Sequence, residues 1–559
     1  MNIKWENIAW KEINLFIYDL QYKIFSHAKT NNISLVRYYQ RKLVKSNEGK
    51  LLAIRFVTQD NRGKATAGVD GIAKLNNVKR IDLSRKLVFD SKASKIRRVF
   101  IPKANGKQRP LGIPTIEDRC KQMLMKMALE PEWEARFEVN SYGFRPGYSA
   151  ADAKWCIARQ LQGGPKYFLD ADIEGCFDNI DHTYLINKLD TISMFKNQIW
   201  SWLKAGIMHA SEKESSDVNE AGTPQGSVLS PLLMNIALHG METHVMKPFG
   251  RNEIKVVRYA DDFVISSKTL ENIQSAEKLV VEFLKPVGLR LSKDKTRIGH
   301  SMSKLPGTSD PVGLDFLSFN FKNIPCSIHR GVKSTQGVKQ TFRLVTRPSK
   351  EAVVKHKRAL SRILVDYKSA PMGRIMERLS SRIRGWTWYH SVTQSTKTFS
   401  KLDEWLWKKL WRRAKRRHRG AKKAKLKCFS VQGWNFGYIT NEGSSLILDR
   451  HDKTKVRKFI KIKSGYSIYN GDLVYFAKRL SLSNPRIKNL NNLFRKQKFS
   501  CPVCSLPLLP NQVVELHHHL DENGKRTDKI NFVHGHCHDK IHSTYNIPEY
   551  SIDHCCSVG

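Results

Sequence analysis

Val256-Val-Arg-Tyr-Ala-Asp-Asp-Phe-Val-Ile-Ser266 is the stretch whose reading decides the fold. Two β-prone runs, Val256-Val257 and Phe263-Val264-Ile265, flank a small residue and two acids. That pattern predicts a hairpin with Asp261 and Asp262 at its tip. An isolated Asp-Asp turn can be a solvated loop. Adjacent carboxylates repel, however, and a divalent cation relieves that cost. The choice between these readings depends on the rest of the chain.

The chain has 559 residues and a formal net charge of +45. Such a length implies several domains. The charge exceeds what solubility needs and points to a polyanionic partner, nucleic acid ahead of an anionic membrane surface. No apolar run reaches the length of a spanning helix. The start, Met1-Asn-Ile-Lys-Trp-Glu, has neither a signal-peptide core nor the acid-poor character of a transit peptide, so a secreted protein is not expected. Cys120, Cys156, Cys176, Cys326 and Cys428 are scattered singly, as reduced buried thiols are.

Ile13, Phe16, Ile17, Leu20 and Ile24 recur at helical spacing, and Thr30-Asn31-Asn32 separates them from a second helix starting near Ser34. Arg97 to Pro102 and Gln108 to Pro114 flank Asn105-Gly106 and predict a hairpin bearing Lys103 and Arg109, which suits a triphosphate. Tyr142-Gly-Phe-Arg-Pro146 is an aromatic-basic turn. Tyr167-Phe-Leu-Asp-Ala-Asp-Ile173 reads as a strand with Asp170 and Asp172 on one face, an arrangement that needs a cation or a base beside it. Gly222-Thr-Pro-Gln-Gly226 is a flexible loop before an apolar helix, and Phe316 to Lys322 is strand-like.

In order and spacing, Ile101-Pro-Lys with Arg109-Pro-Leu-Gly-Ile-Pro114, Tyr142-Gly-Phe-Arg-Pro146, Asp172-Ile-Glu-Gly-Cys-Phe-Asp-Asn-Ile-Asp181, Gly222-Thr-Pro-Gln-Gly226, Tyr259-Ala-Asp-Asp262 and Leu291-Ser-Lys-Asp-Lys-Thr296 resemble the reverse transcriptases encoded by group II introns, which also act as splicing maturases. The resemblance implies an α+β multidomain chain: a right-hand polymerase with fingers, palm and α-helical thumb. It implies that Asp172, Asp261 and Asp262 are the catalytic acids. They would hold two Mg²⁺ roughly 4 Å apart, which activate the primer hydroxyl and clamp the α-phosphate. The alternation of the strand leaves Asp170 and Asp172 equivalent; the resemblance selects Asp172. It also makes Phe177 the residue that excludes a ribose 2′-OH. Gln225 would neighbour the incoming nucleotide, Lys103 and Arg109 its triphosphate, and Lys295 its phosphates. Intron RNA, target DNA and dNTPs are the partners it implies, in a bacterial cytoplasm or an organelle and without a membrane. The domains expected are 1–96 (an N-terminal helical RNA-binding extension and the start of the fingers), 97–345 (fingers and palm), 346–430 (thumb, or maturase X domain), 431–495 (a DNA-binding region) and 496–559 (a zinc domain).

Residues 351–430 hold 23 Lys or Arg against 5 Asp or Glu. Arg382-Ile-Arg384-Gly-Trp-Thr-Trp-Tyr389 and Trp405 to Arg413 mix cations with aromatics; the Trp residues are expected mostly to pack, while Arg382, Arg384, Arg412, Arg413, Arg416 and Arg417 bind RNA. The run from Arg412 to Lys427 is expected to be partly disordered before RNA binds.

Eight of the 19 His and five of the ten Cys follow residue 500. Cys501-Pro-Val-Cys504 and His534-Gly-His-Cys537 form two close ligand pairs, which predict a structural Zn²⁺ on Cys501, Cys504, His534 and Cys537, with His536 as rival to His534 and Cys555 and Cys556 as surplus. Together with Glu515-Leu-His-His-His519 and His538, the tail resembles the HNH endonuclease module of some intron proteins, a small zinc-stapled ββα domain. The resemblance makes His518 the general base and His517 and His538 the ligands of one Mg²⁺. Lys529 stands where that family has an Asn that orients the base, and Asn531 lies two residues later. The competing reading is an RNA-binding splicing maturase whose tail is only a DNA-binding zinc module.

Overall fold

The computed structural model describes residues 4–102, 106, 108–209, 222–223, 226–250, 252–327, 337, 339–429, 435–439, 443–483, 487, 490–521 and 526–544. Lys103 and Gln225 lie outside these residues, as do Cys555 and Cys556. The helix Trp10–Lys29 buries Ile13, Ile17, Leu20 and Ile24 along one stripe. Asn31 turns the chain in the left-handed region, and the Asn32 side chain caps the helix Ile33–Lys45 by accepting from Leu35 N. Ser46 likewise caps the helix Asn47–Arg55 through Gly49 N. These three helices pack against Ile116–Arg136, a helix capped by Thr115 and buried on most of its surface.

That long helix shares a core with a four-stranded antiparallel sheet, ordered Ile254–Tyr259, Asp262–Ser267, Tyr167–Asp172, Arg297–His300. The hairpin expected around Asp261 is present, and its second strand pairs with Tyr167–Asp172 in the register that sets Asp172 opposite Asp262. Ile96–Pro102 and Gln108–Ile113 form the expected basic hairpin, extended by a parallel strand at Ile207–His209. Phe316 to Lys322 is not one strand. Leu317 and Ser318 both take positive φ and fold it into a hairpin between Leu314–Phe316 and Phe319–Pro325, which pairs in turn with Phe342–Pro348.

Lys350–Asp366, Met372–His390 and Thr396–Arg417 form a helical unit with its own core around Leu360, Leu379, Leu406 and Leu410. The basic run after Arg412 is helical on both sides of Gly420, through Ala421–Cys428. Ala414 and Ala424 are buried in this core and anchor both helical pieces of the run. Trp407 and Trp411 stack at 5.7 Å and pack on the same core. The tail comprises the hairpin of Val514–Leu520 with Arg526–His534, followed by the helix Gly535–Thr544.

A buried polar relay ties the helical unit to the segment that follows it. Asp403 Oδ1 lies 2.6 Å from His451 Nδ1, and His451 Nε2 lies 2.9 Å from His356 Nε2. The His356 ring stacks on Trp386 at 4.4 Å. Burial pushes His356 and His390 down to about 3, so both are neutral in the fold. Unfolding restores an ordinary pKa of about 6.5. The unfolded chain therefore binds more protons at acidic pH, and this stability is fully present above about pH 6.5 and lost as pH falls toward 3. At pH 5 each histidine should cost about 1–2 kcal/mol. Thermal melts from pH 7.5 to 5.0 should show the loss, and His356→Gln should flatten the dependence.

Candidate active site and metal centres

Antiparallel register builds the acidic corner. Asp172 ends its strand directly opposite Asp262, and Asp261 occupies the turn beside them. Ala260 adopts φ 60°, a strained choice for a residue with a Cβ, and it turns the chain tightly enough to set the two acids side by side. Beneath the turn, the buried Arg258 donates from Nη1 to Asn235 Oδ1 at 3.0 Å and to Ala260 O at 3.2 Å. Asn235 Nδ2 in turn donates to Gly143 O at 2.8 Å. Gly143 lies so close that a Cβ there would fall 2.3 Å from Ala260 N. The Tyr142-Gly-Phe-Arg turn is therefore a brace for the acids. Sequence reasoning did not find Arg258 or Asn235; an arginine inside an apolar strand was the available signal.

Burial, then a hydrogen bond with Asp172, then the charges of Asp261 and Asp172 push Asp262 up to about 8. Burial, then the Asp172 charge, also raises Asp261, while Lys295 and Arg109 oppose the shift. The Lys295 ammonium rests against the Asp172 carboxylate. Asp170, on the same face, is paired with Arg297 at 3.3 Å, although burial still raises it to about 6. Asp170 thus has a half-buried base, and Asp172, which faces the other two acids, has an exposed one. An all-oxygen donor set of clustered carboxylates fits a hard cation such as Mg²⁺.

Phe177 is half-buried beside this corner, edge-on to Phe144 at 6.2 Å. Gly222 and Thr223 bind the backbone under it: Thr223 N donates to Phe177 O and Gly222 N to Ile180 O. Gly226 abuts Gly112 of the basic hairpin, where a Cβ would stand 2.6 Å from Gly112 O. The glycine loop thereby spans from Phe177 to the strand that carries Arg109, which is exposed.

Arg382, Arg384, Arg412, Arg416 and Arg417 are exposed on the helical unit. Arg384 pairs with Asp449 at 2.6 Å, and Arg417 Nη1 donates to Ala370 O. Arg413 donates to Leu364 O, Tyr367 O and Lys368 O, capping the end of the first helix of the unit. Its guanidinium is thus spent on packing the unit.

Among the described residues, two clusters bring three or more metal-ligand atoms within 4.8 Å of one another: Cys501, Cys504, His534 and Cys537, and His517, His538 and His542. The first is the expected set of three Cys and one His, a donor set that fits Zn²⁺, and His534 rather than His536 belongs to it. The His536 ring stacks on His534 at 5.0 Å. In the second, His538 Nδ1 lies 2.7 Å from Glu515 Oε2, and His517 Nδ1 is buried with no hydrogen-bond partner among the described residues, which fits a metal-ligating nitrogen. His542 was missed; its i+4 spacing from His538 was the available signal. His518 falls on the opposite face of its strand from His517 and His519. Asn531 Nδ2 is 2.7 Å from His519 Nε2.

Residues 101–321 match the family described as reverse transcriptase (RNA-dependent DNA polymerase). Residues 5–87 match the N-terminal domain of reverse transcriptase. Residues 353–429 match the group II intron maturase-specific domain. The chain belongs to the group II intron reverse transcriptase/maturase family. Protein YkfC of Escherichia coli K12 is 30% identical over 332 residues, 51% of this chain and 85% of that protein. The group II intron-encoded protein LtrA of Lactococcus lactis is 35% identical over 259 residues, 44% of this chain and 38% of LtrA. Maturase-like protein 1 of Euglena gracilis is 27% identical over 326 residues, 57% of this chain and 65% of that protein. The chain thus spans well under half of LtrA. Among the described residues no helix is long and apolar enough to cross a membrane.

In this family setting the brace has a measurable consequence. Gly143→Ala drives a methyl into the Ala260 backbone and should cost about 1–3 kcal/mol of stability. It should also shift the acidic turn, with a loss of about 100-fold in template-directed dNTP incorporation. Melting and primer extension on the same preparation check both.

Proposed function

We propose that the chain is an RNA-directed DNA polymerase that copies intron RNA into DNA and, as a maturase, grips that RNA during splicing. The observation that carries the reading is the register that sets Asp172 opposite Asp262 with Asp261 in the adjoining turn, in a chain of this family. Asp172, Asp261 and Asp262 would hold two Mg²⁺, which when bound activate the primer hydroxyl and neutralise the phosphates. Phe177 would exclude a ribose 2′-OH by contact with its ring, a role supported by its half-buried place beside the acidic corner. Arg109, exposed on the basic hairpin, would supply charge to the triphosphate; the roles of Lys103 and Gln225, which lie outside the described residues, rest on the family resemblance. Lys295 reaches the same carboxylates on a flexible stem and can pass its charge to an incoming phosphate. The right-hand arrangement of fingers, palm and thumb is part of this proposal. Excess positive charge on residues 351–430 supports binding of intron RNA through the phosphate backbone, with Arg382, Arg384, Arg412, Arg416 and Arg417 on its surface.

The test is primer extension with dNTPs on an RNA template. Asp261→Ala removes a half-buried carboxylate that its acidic neighbour repels, so melting should stay near that of the wild type. Incorporation should fall on the order of a thousandfold or more, since loss of metal clamping costs several kcal/mol. Undiminished incorporation would sink the polymerase reading.

For the tail we propose a DNA-nicking centre of the HNH class beside a structural Zn²⁺ on Cys501, Cys504, His534 and Cys537. His517 and His538 would hold Mg²⁺, joined by His542, and His518 would take the proton from the attacking water. A second reading, DNA binding without cleavage, is favoured by one observation: Asn531 engages His519 rather than His518. Strand-nicking assays on a target duplex separate the two. Under the nuclease reading His517→Ala and His518→Ala each abolish nicking while DNA affinity persists. Absence of nicking in the wild type leaves the binding module.

A further inference from the structure

The tail does not stand apart from the start of the chain. Leu509, between the two halves of the Cys–His set, is fully buried in one apolar cluster with Phe25 of the helix Trp10–Lys29. From the same helix the Tyr18 hydroxyl accepts a hydrogen bond from Gln512 Nε2. The other end of that amide, Gln512 Oε1, faces His534 Nε2 at 3.1 Å, and Pro507 O faces the same nitrogen at 3.3 Å. Two acceptors on Nε2 fix the proton there. That tautomer leaves the Nδ1 lone pair directed at the cysteines, with Nδ1 3.3 Å from Cys504 Sγ. A second contact lies on the same interface. Arg55, at the end of the third helix, has a side chain only 4% exposed and pairs with Asp539 of the tail helix at 2.6 Å. Its guanidinium also lies over the Trp10 ring and 3.4 Å from Asp60.

We infer that the Cys501–Cys504–His534–Cys537 centre is the clasp of an interface between the two ends of the chain, loaded metal holding the tail on the N-terminal helices through Tyr18–Gln512–His534 and Arg55–Asp539. The inference rests on the metal reading of that centre. Its chemistry is reciprocal. An amide can hold the imidazole in the ligating tautomer only while the amide is itself held, and Tyr18 holds it. The metal, by fixing His534, fixes Gln512 at the distance Tyr18 requires. Tyr18 and Gln512 are positioning residues, neither being a ligand.

The experiment uses the full chain. Zinc content is read by elemental analysis, zinc transfer to a chelating dye by absorbance, and the protection of residues 10–29 and 47–55 by hydrogen exchange. Tyr18→Phe keeps the ring and removes the hydroxyl; Asp539→Asn removes one charge from a half-exposed site. One zinc per chain is expected, and stripping it should speed exchange in both helical segments about tenfold or more. Tyr18→Phe and Asp539→Asn should each raise the zinc transfer rate about threefold to tenfold, the scale of one lost hydrogen bond or outer-shell partner. Cys501→Ser should reproduce the stripped exchange pattern without chelator. Zinc that is present while exchange in both segments ignores its removal, or while both variants release it at the wild-type rate, overturns the inference and leaves the metal site standing. A chain that holds no zinc when purified with the metal supplied overturns the metal reading and the inference with it.

Discussion

Asp172 and Asp262 face each other across two hydrogen-bonded strands, and the elements around that corner hold the opposition. Like charges in a buried corner repel, and the repulsion is visible in the upward shift of Asp262. A fold keeps such a pair only by making retreat costly. Arg258 and Asn235, both buried, pin the turn from below, and Gly143 closes the gap to a distance no side chain would allow. The long helix Ile116–Arg136 and the helices packed on it supply the core that keeps this brace from relaxing.

Charge organises the surroundings of that corner. Lys295 rests on Asp172 and Arg297 on Asp170, so two acids of one strand face are treated differently. The Arg297 pair is structural, and the Lys295 contact is exposed and exchangeable. The same division runs through the basic helical unit. Arg413 is committed to three carbonyl oxygens at a helix end, whereas its neighbours Arg412 and Arg416 stay in solvent. A run of like charges is thereby split into a packing residue and a surface that polyanions can reach.

In the tail, two ligand clusters draw on one hairpin and one helix, and Cys501 and Cys504 ahead of the hairpin complete the first. Cys537 and His538 are consecutive, yet each belongs to a different cluster, because the helix directs adjacent side chains about a quarter-turn apart. The unit is small, and its core merges with that of Leu480, Phe494 and Leu508. Its polar edge meets the N-terminal helices at Tyr18 and Arg55, so its position depends on residues at the far end of the chain.

Local pattern was enough for several elements. The alternation around Tyr259-Ala-Asp-Asp262 and Tyr167–Asp172, the helical stripe of Ile13, Ile17, Leu20 and Ile24, and the Cys–His spacing of the tail are each legible because period and ligand geometry act over a few residues. The hairpin inside Phe316–Lys322 was not legible, because Leu317 and Ser318 carry no turn signal and take positive φ under packing. Nor was the helicity of Arg412–Lys427, where burial of Ala414 and Ala424 overrides charge repulsion. His542 entered the second cluster because helix turns decide which imidazoles converge. Order and spacing by themselves pointed to the family, to three acids that the fold brings to one corner, and to the Cys–His set that it gathers. Only the tertiary structure decided which base each acid meets, that Arg258 holds the turn, and that Tyr18 reaches Gln512 across 494 residues, since contacts at such separation are set by packing and leave no trace in neighbouring residues.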